Sequence, residues 1–207
     1  MERVADAIGQ SRHSPRSATF SLVAQSLAGK LLIASLRITE PTFFRTVVLM
    51  CAHDDNGALG LVLNRPLNSE PVSRHLPQYE PFVQSPASIF TGGPVETSAA
   101  LALARWKDWL ITPTPNLVVG RVGLLDLAKP IEEVEAGVEE VRVFAGYAGW
   151  TGGQLEEELE QESWFVVDAT AEDAFTRHPE TLWRDVLRRQ SGKLAMFAYA
   201  PRDPDIN

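Results

Sequence analysis

Apolar residues along this chain come mostly in short runs bounded by glycine, proline or acidic turns, a spacing that predicts strands more often than helices. Leu31-Leu-Ile-Ala34, after Gly29-Lys30, reads as a short buried strand, and Pro41 then breaks the chain. Thr46-Val-Val-Leu-Met-Cys51 is β-branched and apolar throughout, which predicts a strand covered on both faces. Asp54-Asp-Asn-Gly57 is a tight-turn sequence, because Asn-Gly accepts the positive φ that a reversal needs. Leu59 to Leu63 then completes a hairpin, ended by Asn64-Arg65-Pro66, since proline cannot donate to the ladder. The proline-rich stretch from Pro71 to Pro86 predicts a loop around a short helix at most. Ile89-Phe-Thr91 is a brief strand running into Gly92-Gly93-Pro94. Ala99 to Ala104 is ambiguous, with helix-favouring residues in a run of strand length. Leu117-Val-Val119 is a further strand.

Longer periods appear towards the C-terminus. Pro130 to Ala136 predicts a helix with proline and two glutamates in its first turn. Val141 to Ala145 is an apolar strand that feeds Gly146-Tyr-Ala-Gly-Trp150-Thr-Gly-Gly153, read as a glycine-rich turn. Gln154 to Leu159 follows as a helix with Leu155 and Leu159 on one face. Trp164-Phe-Val-Val167 is a strand, and Thr170-Ala-Glu-Asp173 resembles a capping box ahead of a short helix. Pro179 opens a helix whose apolar stripe is Leu182, Trp183, Val186 and Leu187. Lys193 to Ala200 is expected to return as a final strand, closed by Pro201 and Pro204.

These elements describe an α+β fold: a curved mixed β-sheet packed by a few helices, without regular β-α-β alternation. Residues 1 to 25 lack a lasting period and are expected to form a flexible N-terminal tail, with 26–207 as a single domain.

Composition narrows the classes. The chain carries 27 acidic and 19 basic residues, a net charge of −8, which repels phosphate backbones unless the cations are segregated. One cysteine excludes an internal disulfide and a cysteine-rich zinc site, and suits a reducing cytosol. No apolar run approaches the ~20 residues of a membrane-spanning helix. The expected setting is cytoplasmic and soluble, with no membrane role.

The stretch from Gly146 to Glu158 also resembles the GYAGW-x-x-GQLE-x-E signature of the bacterial YqgE/AlgH family. Gly146, Tyr147, Gly149, Trp150, Gly153, Gln154 and Glu156 carry that resemblance. Gly29-Lys30-Leu-Leu-Ile-Ala34, Asn64-Arg65-Pro66, Gly92-Gly93-Pro94-Val95, the Trp164 strand and the Leu182-Trp183 helix match the family in the expected order. The resemblance covers nearly all of residues 28–207. It implies a bent, pseudo-barrel sheet packed by helices, a strand over Ala99–Ala104, and no settled activity. The chain departs from the family at Leu36, where a proline is common, and at Leu103-Ala104, where a Leu-His pair is common. The second departure counts against any mechanism resting on that histidine.

Candidate chemistry is sparse. Gly149 to Gly153 ahead of a helix could bind an anion, but Glu156, Glu157 and Glu158 already complement the dipole there. Packing of Tyr147 and Trp150 against a glycine-rich backbone is the better reading of that stretch. Cys51 and His53 are expected to share a strand face, which admits an activated thiol or redox sensor, although free cysteine is usually a buried hydrophobe. The four histidines are scattered without metal-ligand spacing. Asn64 and Arg65 at one strand end, with Gly92 and Gly93 at another, form the candidate ligand-binding corner for a carboxylate or phosphate, weighed against a turn-holding asparagine and an ion-paired arginine. Arg184, Arg188, Arg189 and Lys193 read as the solvated C-terminal turn of a helix, and no nucleic-acid reader motif is present.

No catalytic set, metal site or cofactor is expected. The leading expectation is a binding or regulatory module acting through a protein partner or small ligand. The alternatives are indirect control of transcription, which the AlgH name implies, and an enzyme or redox sensor using Cys51/His53 or Asn64/Arg65. Direct DNA binding is not expected.

Overall fold

The computed structural model describes residues 26–107, 117–133 and 135–201. Its organising element is a 14-residue strand, Val138–Thr151, along which side chains alternate between two buried layers. In chain order the strands are β1 (Lys30–Ala34), β2 (Val47–Asp54), β3 (Gly57–Val62), β4 (Pro66–Pro71), β5 (Ser88–Thr91), β6 (Val95–Trp106), β7 (Leu117–Val119), β8 (Val122–Leu125), β9 (Val138–Thr151) and β10 (Trp164–Asp168). The helices are α1 (Val72–His75), α2 (Gln154–Glu160), α3 (Ala171–Ala174), α4 (Leu182–Arg188) and α5 (Lys193–Met196).

The strands form one sheet in the order β10-β1-β2-β3-β9-β6-β8-β7, with β4 and β5 attached beside β9. Pairing is antiparallel except for β5 against β9, so the sheet is mixed. The length of β9 explains the curl: its C-terminal part pairs β3 from Ala148 to Thr151, while its N-terminal part pairs β6 from Val138 to Ala145. One strand bridging two partners whose axes diverge bends the sheet into a half-barrel, consistent with the right-handed twist of each strand.

Three apolar clusters hold the layers together. On one face Leu31, Ile33, Leu49, Leu61, Phe90 and Phe144 pack under α3, α4 and the residues of α5. On the other face Leu32, Val48, Met50 and Ala148 pack against Leu155 of α2, and Ala102, Val141 and Val143 pack against Val72 and Tyr79. The stripe of Leu182, Trp183, Val186 and Leu187 is fully buried, as the helical spacing requires. The capping box at Thr170 and Asp173 is present in both directions.

Several elements differ from the sequence-based expectation. Gly146 to Trp150 is strand, not a glycine-rich turn, and the turn itself is confined to Gly152 and Gly153. The glycines accommodate neighbouring backbone instead: a Cβ on Gly146 would lie 2.7 Å from the carbonyl oxygen of Val95. Ala99 to Ala104 is strand, where pairing with β8 and β9 outweighs local helix propensity. Pro66 opens β4 instead of ending the ladder, a position where its missing N–H is tolerated. The helix expected over Pro130–Ala136 is only a 3₁₀ turn at Ile131–Glu133 among the described residues. Lys193 to Ala200 is α5 followed by a 3₁₀ turn at Phe197–Tyr199, not a strand. Its Leu194, Phe197 and Ala198 recur at helical spacing and pack on the core, with Phe197 stacked on Phe165 at 5.2 Å. The expected N-terminal tail lies outside the described residues.

Candidate functional site

Asn64 and Arg65 sit at the exit of β3, against the turn that precedes β2. Glu40 organises that turn by accepting from the backbone N–H of Thr42 at 3.0 Å and of Phe43 at 2.9 Å. Arg45 follows with φ 53°, a left-handed conformation unusual for a side chain of this size. The buried Asn64 amide holds it there. Its Oδ1 accepts from the Val47 N–H at 3.0 Å, and its Nδ2 donates to the Arg45 carbonyl at 2.9 Å. Arg65 donates through Nη2 to the Phe44 carbonyl and through Nη1 to the Asn64 carbonyl at 3.3 Å.

A cavity of about 330 Å³ opens beside these residues. Phe44, Arg45, Asn64, Arg65 and Pro66 form one wall, and Glu180, Trp183 and Arg184 of the α4 region form the other. The Arg45 guanidinium stacks 4.6 Å from the centre of the Trp183 ring and 5.4 Å from that of Phe44. Its Nη2 donates to the carbonyls of Ala200, at 3.0 Å, and Pro201. Trp183 is fixed in turn by donating its Nε1–H to the Ala34 carbonyl at 2.9 Å. Arg184 is half-buried, and its side chain makes no hydrogen bond or ion pair among the described residues. Among the described residues, Arg45, Arg65, Arg184 and Glu180 thus line one small cavity in a protein whose net charge is −8.

Gly92 and Gly93 adjoin this corner through the backbone. Thr91 donates its N–H to the Arg65 carbonyl at 2.8 Å, and Gly92 accepts from Val62 at 2.9 Å while donating to Ala145 at 2.9 Å. A Cβ on Gly93 would lie 2.2 Å from the Ala148 nitrogen. These glycines let β5 and β3 approach β9, and neither lines the cavity. Phe44, Arg45, Pro66, Glu180, Trp183 and Arg184 also line it, and sequence reasoning did not assign them to the corner. Their separation along the chain leaves no local signal for it.

The signature residues meet one another. Gly153, at φ 82°, is the residue before α2, and the Gln154 Oε1 accepts from the Thr151 N–H at 3.1 Å. Two carboxylates of α2 are engaged internally: Glu156 with His53 at 2.9 Å, and Glu158 with the indole N–H groups of Trp150 and Trp164. Tyr147 packs on the helix-covered face of the sheet.

Cys51 and His53 do not share a face, contrary to the simple alternation rule. A β-bulge between Met50 and Ala52 shifts the register at Cys51. Cys51 therefore packs with the Leu31 and Leu49 layer, while His53 turns to α2 on the opposite side. His53 accepts from the Leu27 N–H at Nδ1, at 3.0 Å, so its proton resides on Nε2, facing Glu156. Burial pushes the Cys51 thiol up to about 12, the reverse of an activated thiolate.

Two other features were not apparent in the sequence. Glu70 and His75 pair at 2.8 Å on the rim of a largely apolar cleft of about 430 Å³, and the His75 hydrogen bond holds the Glu70 carboxyl below its usual range. Beneath α3, Arg105 pairs with Glu140 at 3.3 Å across β6 and β9. Burial raises the Glu140 carboxyl above its ordinary range and lowers the neighbouring Arg142 to about 10. Among the described residues no group of three or more acidic, histidine or cysteine side chains could hold a metal ion, and no helix is long and apolar enough to cross a membrane.

The comparisons with known proteins agree with this architecture. A family model described as AlgH-like matches residues 31–195. A UPF0301 protein of Streptomyces coelicolor is 43% identical over 186 residues, covering 88% of this chain and 96% of its own. One from Mycobacteroides abscessus is 44% identical over 183 residues, covering 87% of this chain and 88% of its own. The crystal structure of a Corynebacterium diphtheriae protein matches with a TM-score of 0.77 at 27% identity, over 83% of this chain and 91% of that one. The solution structure of the AlgH protein from Pseudomonas aeruginosa matches with a TM-score of 0.63 at 28% identity, over 93% and 98%.

Proposed function

The chain belongs to the AlgH-like family, and from that premise we propose that it is a non-enzymatic binding module whose site is the arginine-walled cavity beside Asn64. The ligand class is a carboxylate, borne either by a small polyacid or by an acidic segment of a partner protein. One observation carries the reading. Arg184 is half-buried, lines the same cavity as Arg65 and makes no ion pair among the described residues, although acidic side chains outnumber basic ones over the whole chain. A planar guanidinium in that position presents paired N–H donors matched to a carboxylate. Glu180 on the same wall reduces the positive field without cancelling it, which favours a ligand of limited charge over a polyphosphate. Trp183 and Phe44 supply apolar walls that exclude water and strengthen a charge-assisted bond.

A regulatory role follows naturally from such a site, exerted through the partner and not through direct contact with DNA. The net charge of −8 opposes binding to a phosphate backbone.

Isothermal titration with citrate in one arm and a short Asp-Pro-Asp peptide in the other tests the proposal and separates the two sources. Saturable binding of about millimolar strength or tighter in at least one arm is expected, weakening with added salt. Arg184→Ala should reduce that affinity about tenfold or more, the scale of a lost charge-assisted hydrogen bond. Binding unchanged by Arg184→Ala, or absent in both arms, would overturn the assignment.

A further inference from the structure

Glu180 and Arg184 line the same cavity and lie four residues apart in the sequence, yet they make no ion pair with each other. Glutamate before arginine at this spacing is the order that favours pairing when a helix holds both. Here α4 begins only at Leu182, so Glu180 stands outside its first turn and the helical spacing is not imposed on it. What Glu180 has instead is His178, whose Nδ1 lies 3.6 Å from its Oε1, beyond hydrogen-bond range. The other two arginines of the lining are committed to backbone. Arg45 donates to the carbonyls of Ala200 and Pro201, and Arg65 to those of Phe44 and Asn64. Arg184 and Glu180 are therefore the charges that an incoming group meets, one of each sign.

We infer that Glu180 makes the cavity select a mixed-charge segment of a partner protein, in which an acidic side chain meets Arg184 and a neighbouring lysine or arginine meets Glu180. The inference rests on the carboxylate site proposed above and, of the two ligand sources named there, takes the partner segment over the small polyacid. A polyacid that places one carboxylate on Arg184 presents the others to Glu180, where like charges repel. One acidic and one basic group satisfy both residues at once. The placement of the two charges favours a peptide chain as their carrier. Arg184 is half-buried, whereas the Glu180 side chain is 62% exposed, so the ligand spans from the interior of a cavity of about 330 Å³ to its rim. A chain that carries side chains on successive residues makes that span. An exposed pair at Glu180 adds little affinity, so its effect is on the choice of partner.

The test is a calorimetric titration of the full chain, at low salt, with Asp-Pro-Lys and Asp-Pro-Asp peptides, both acetylated and amidated to remove their terminal charges, and with citrate. Wild type is compared with Glu180→Gln, Glu180→Lys and Arg184→Ala, each checked for an unfolding midpoint coincident with wild type. Asp-Pro-Lys is expected to bind wild type about fivefold more tightly than Asp-Pro-Asp, the scale of an exposed ion pair. Glu180→Gln should abolish that preference and Glu180→Lys should reverse it, while Arg184→Ala weakens both peptides. Equal or tighter binding of Asp-Pro-Asp to wild type, a preference that survives Glu180→Gln, or binding of citrate alone would each overturn the selection while leaving the carboxylate site in place. Failure of all three probes to bind, or binding indifferent to Arg184→Ala, would overturn the site and the selection with it.

Discussion

Trp150 and Trp164 stand edge to face, with ring centroids 6.0 Å apart and an interplanar angle of 78°, and both donate their indole N–H to the same carboxylate oxygen of Glu158. The distances are 2.9 Å from Trp150 and 2.7 Å from Trp164. One comes from β9, the other from β10, and the shared acceptor comes from α2. Three elements are thereby fastened at one atom. Both indoles are buried, so each N–H needs a partner, and one charged acceptor supplies both.

Trp150→Ala should lower stability by about 3–5 kcal/mol, the range for truncating a buried aromatic. Glu158→Ala should cost about 1–3 kcal/mol by leaving indole donors without their acceptor. Glu158→Gln, which keeps an acceptor oxygen, should recover much of that loss. Urea unfolding monitored by tryptophan fluorescence measures all three. A loss under about 0.5 kcal/mol for Glu158→Ala, typical of an ordinary surface change, would show that the shared oxygen is incidental.

Gly146 and Gly153, on either side of Trp150, differ in a testable way. At Gly146 (φ 69°) a Cβ would lie 2.7 Å from the Val95 carbonyl and 2.8 Å from that of Gly93, both backbone atoms with little freedom to yield. At Gly153 (φ 82°) nothing lies within 4 Å of the added carbon. Gly153→Ala should therefore cost only the left-handed penalty of about 1–2 kcal/mol. Gly146→Ala should exceed it by at least about 1 kcal/mol because overpacking adds to the same penalty. Equal shifts of the denaturation midpoint would contradict the close approach of β6 and β9.

Asn64 is expected to act on stability before binding. Both ends of its amide are taken by backbone groups of Val47 and Arg45. Replacing it with alanine orphans a donor and an acceptor, at about 1–3 kcal/mol each. Thermal unfolding of Asn64→Ala beside Arg184→Ala checks this division of roles. Arg184→Ala should leave the midpoint nearly unchanged, and a larger loss for Arg184→Ala than for Asn64→Ala would reverse the assignment.

Cys51 should react slowly with a thiol reagent in the folded protein. Its thiol is pushed up to about 12, against roughly 8.5 for a free cysteine, so at pH 8 the thiolate is about 10³-fold scarcer than in the denatured chain. The sign for stability follows, since the folded-state value is raised. The contribution is fully present below about pH 8.5 and is lost as the pH climbs towards 12. Rapid native labelling near neutral pH would show the thiol to be accessible and ionised.

How much of this was legible in the sequence depended on how local the cause was. The hairpin at Asp54–Gly57 and the capping box at Thr170 and Asp173 are set by residues within a few positions, and both appear where expected. So does the stripe from Leu182 to Leu187, because helical periodicity needs only the neighbouring turn. The ordered matches to one family likewise placed the curved mixed sheet before any contact was visible. Tertiary structure decided the rest. Lys193 to Ala200 had the length of a strand, but Leu194, Phe197 and Ala198 found their burial on the core surface as a helix and 3₁₀ turn. The bulge at Cys51 sent His53 to the face opposite the one alternation predicts, a shift set by pairing with β3. The cavity is the least local feature, since Arg45, Asn64, Trp183 and the Ala200 carbonyl meet from three distant parts of the chain. Short-range pattern records which residues want burial or a turn; only the folded chain brings arginines so far apart in sequence to line one cavity.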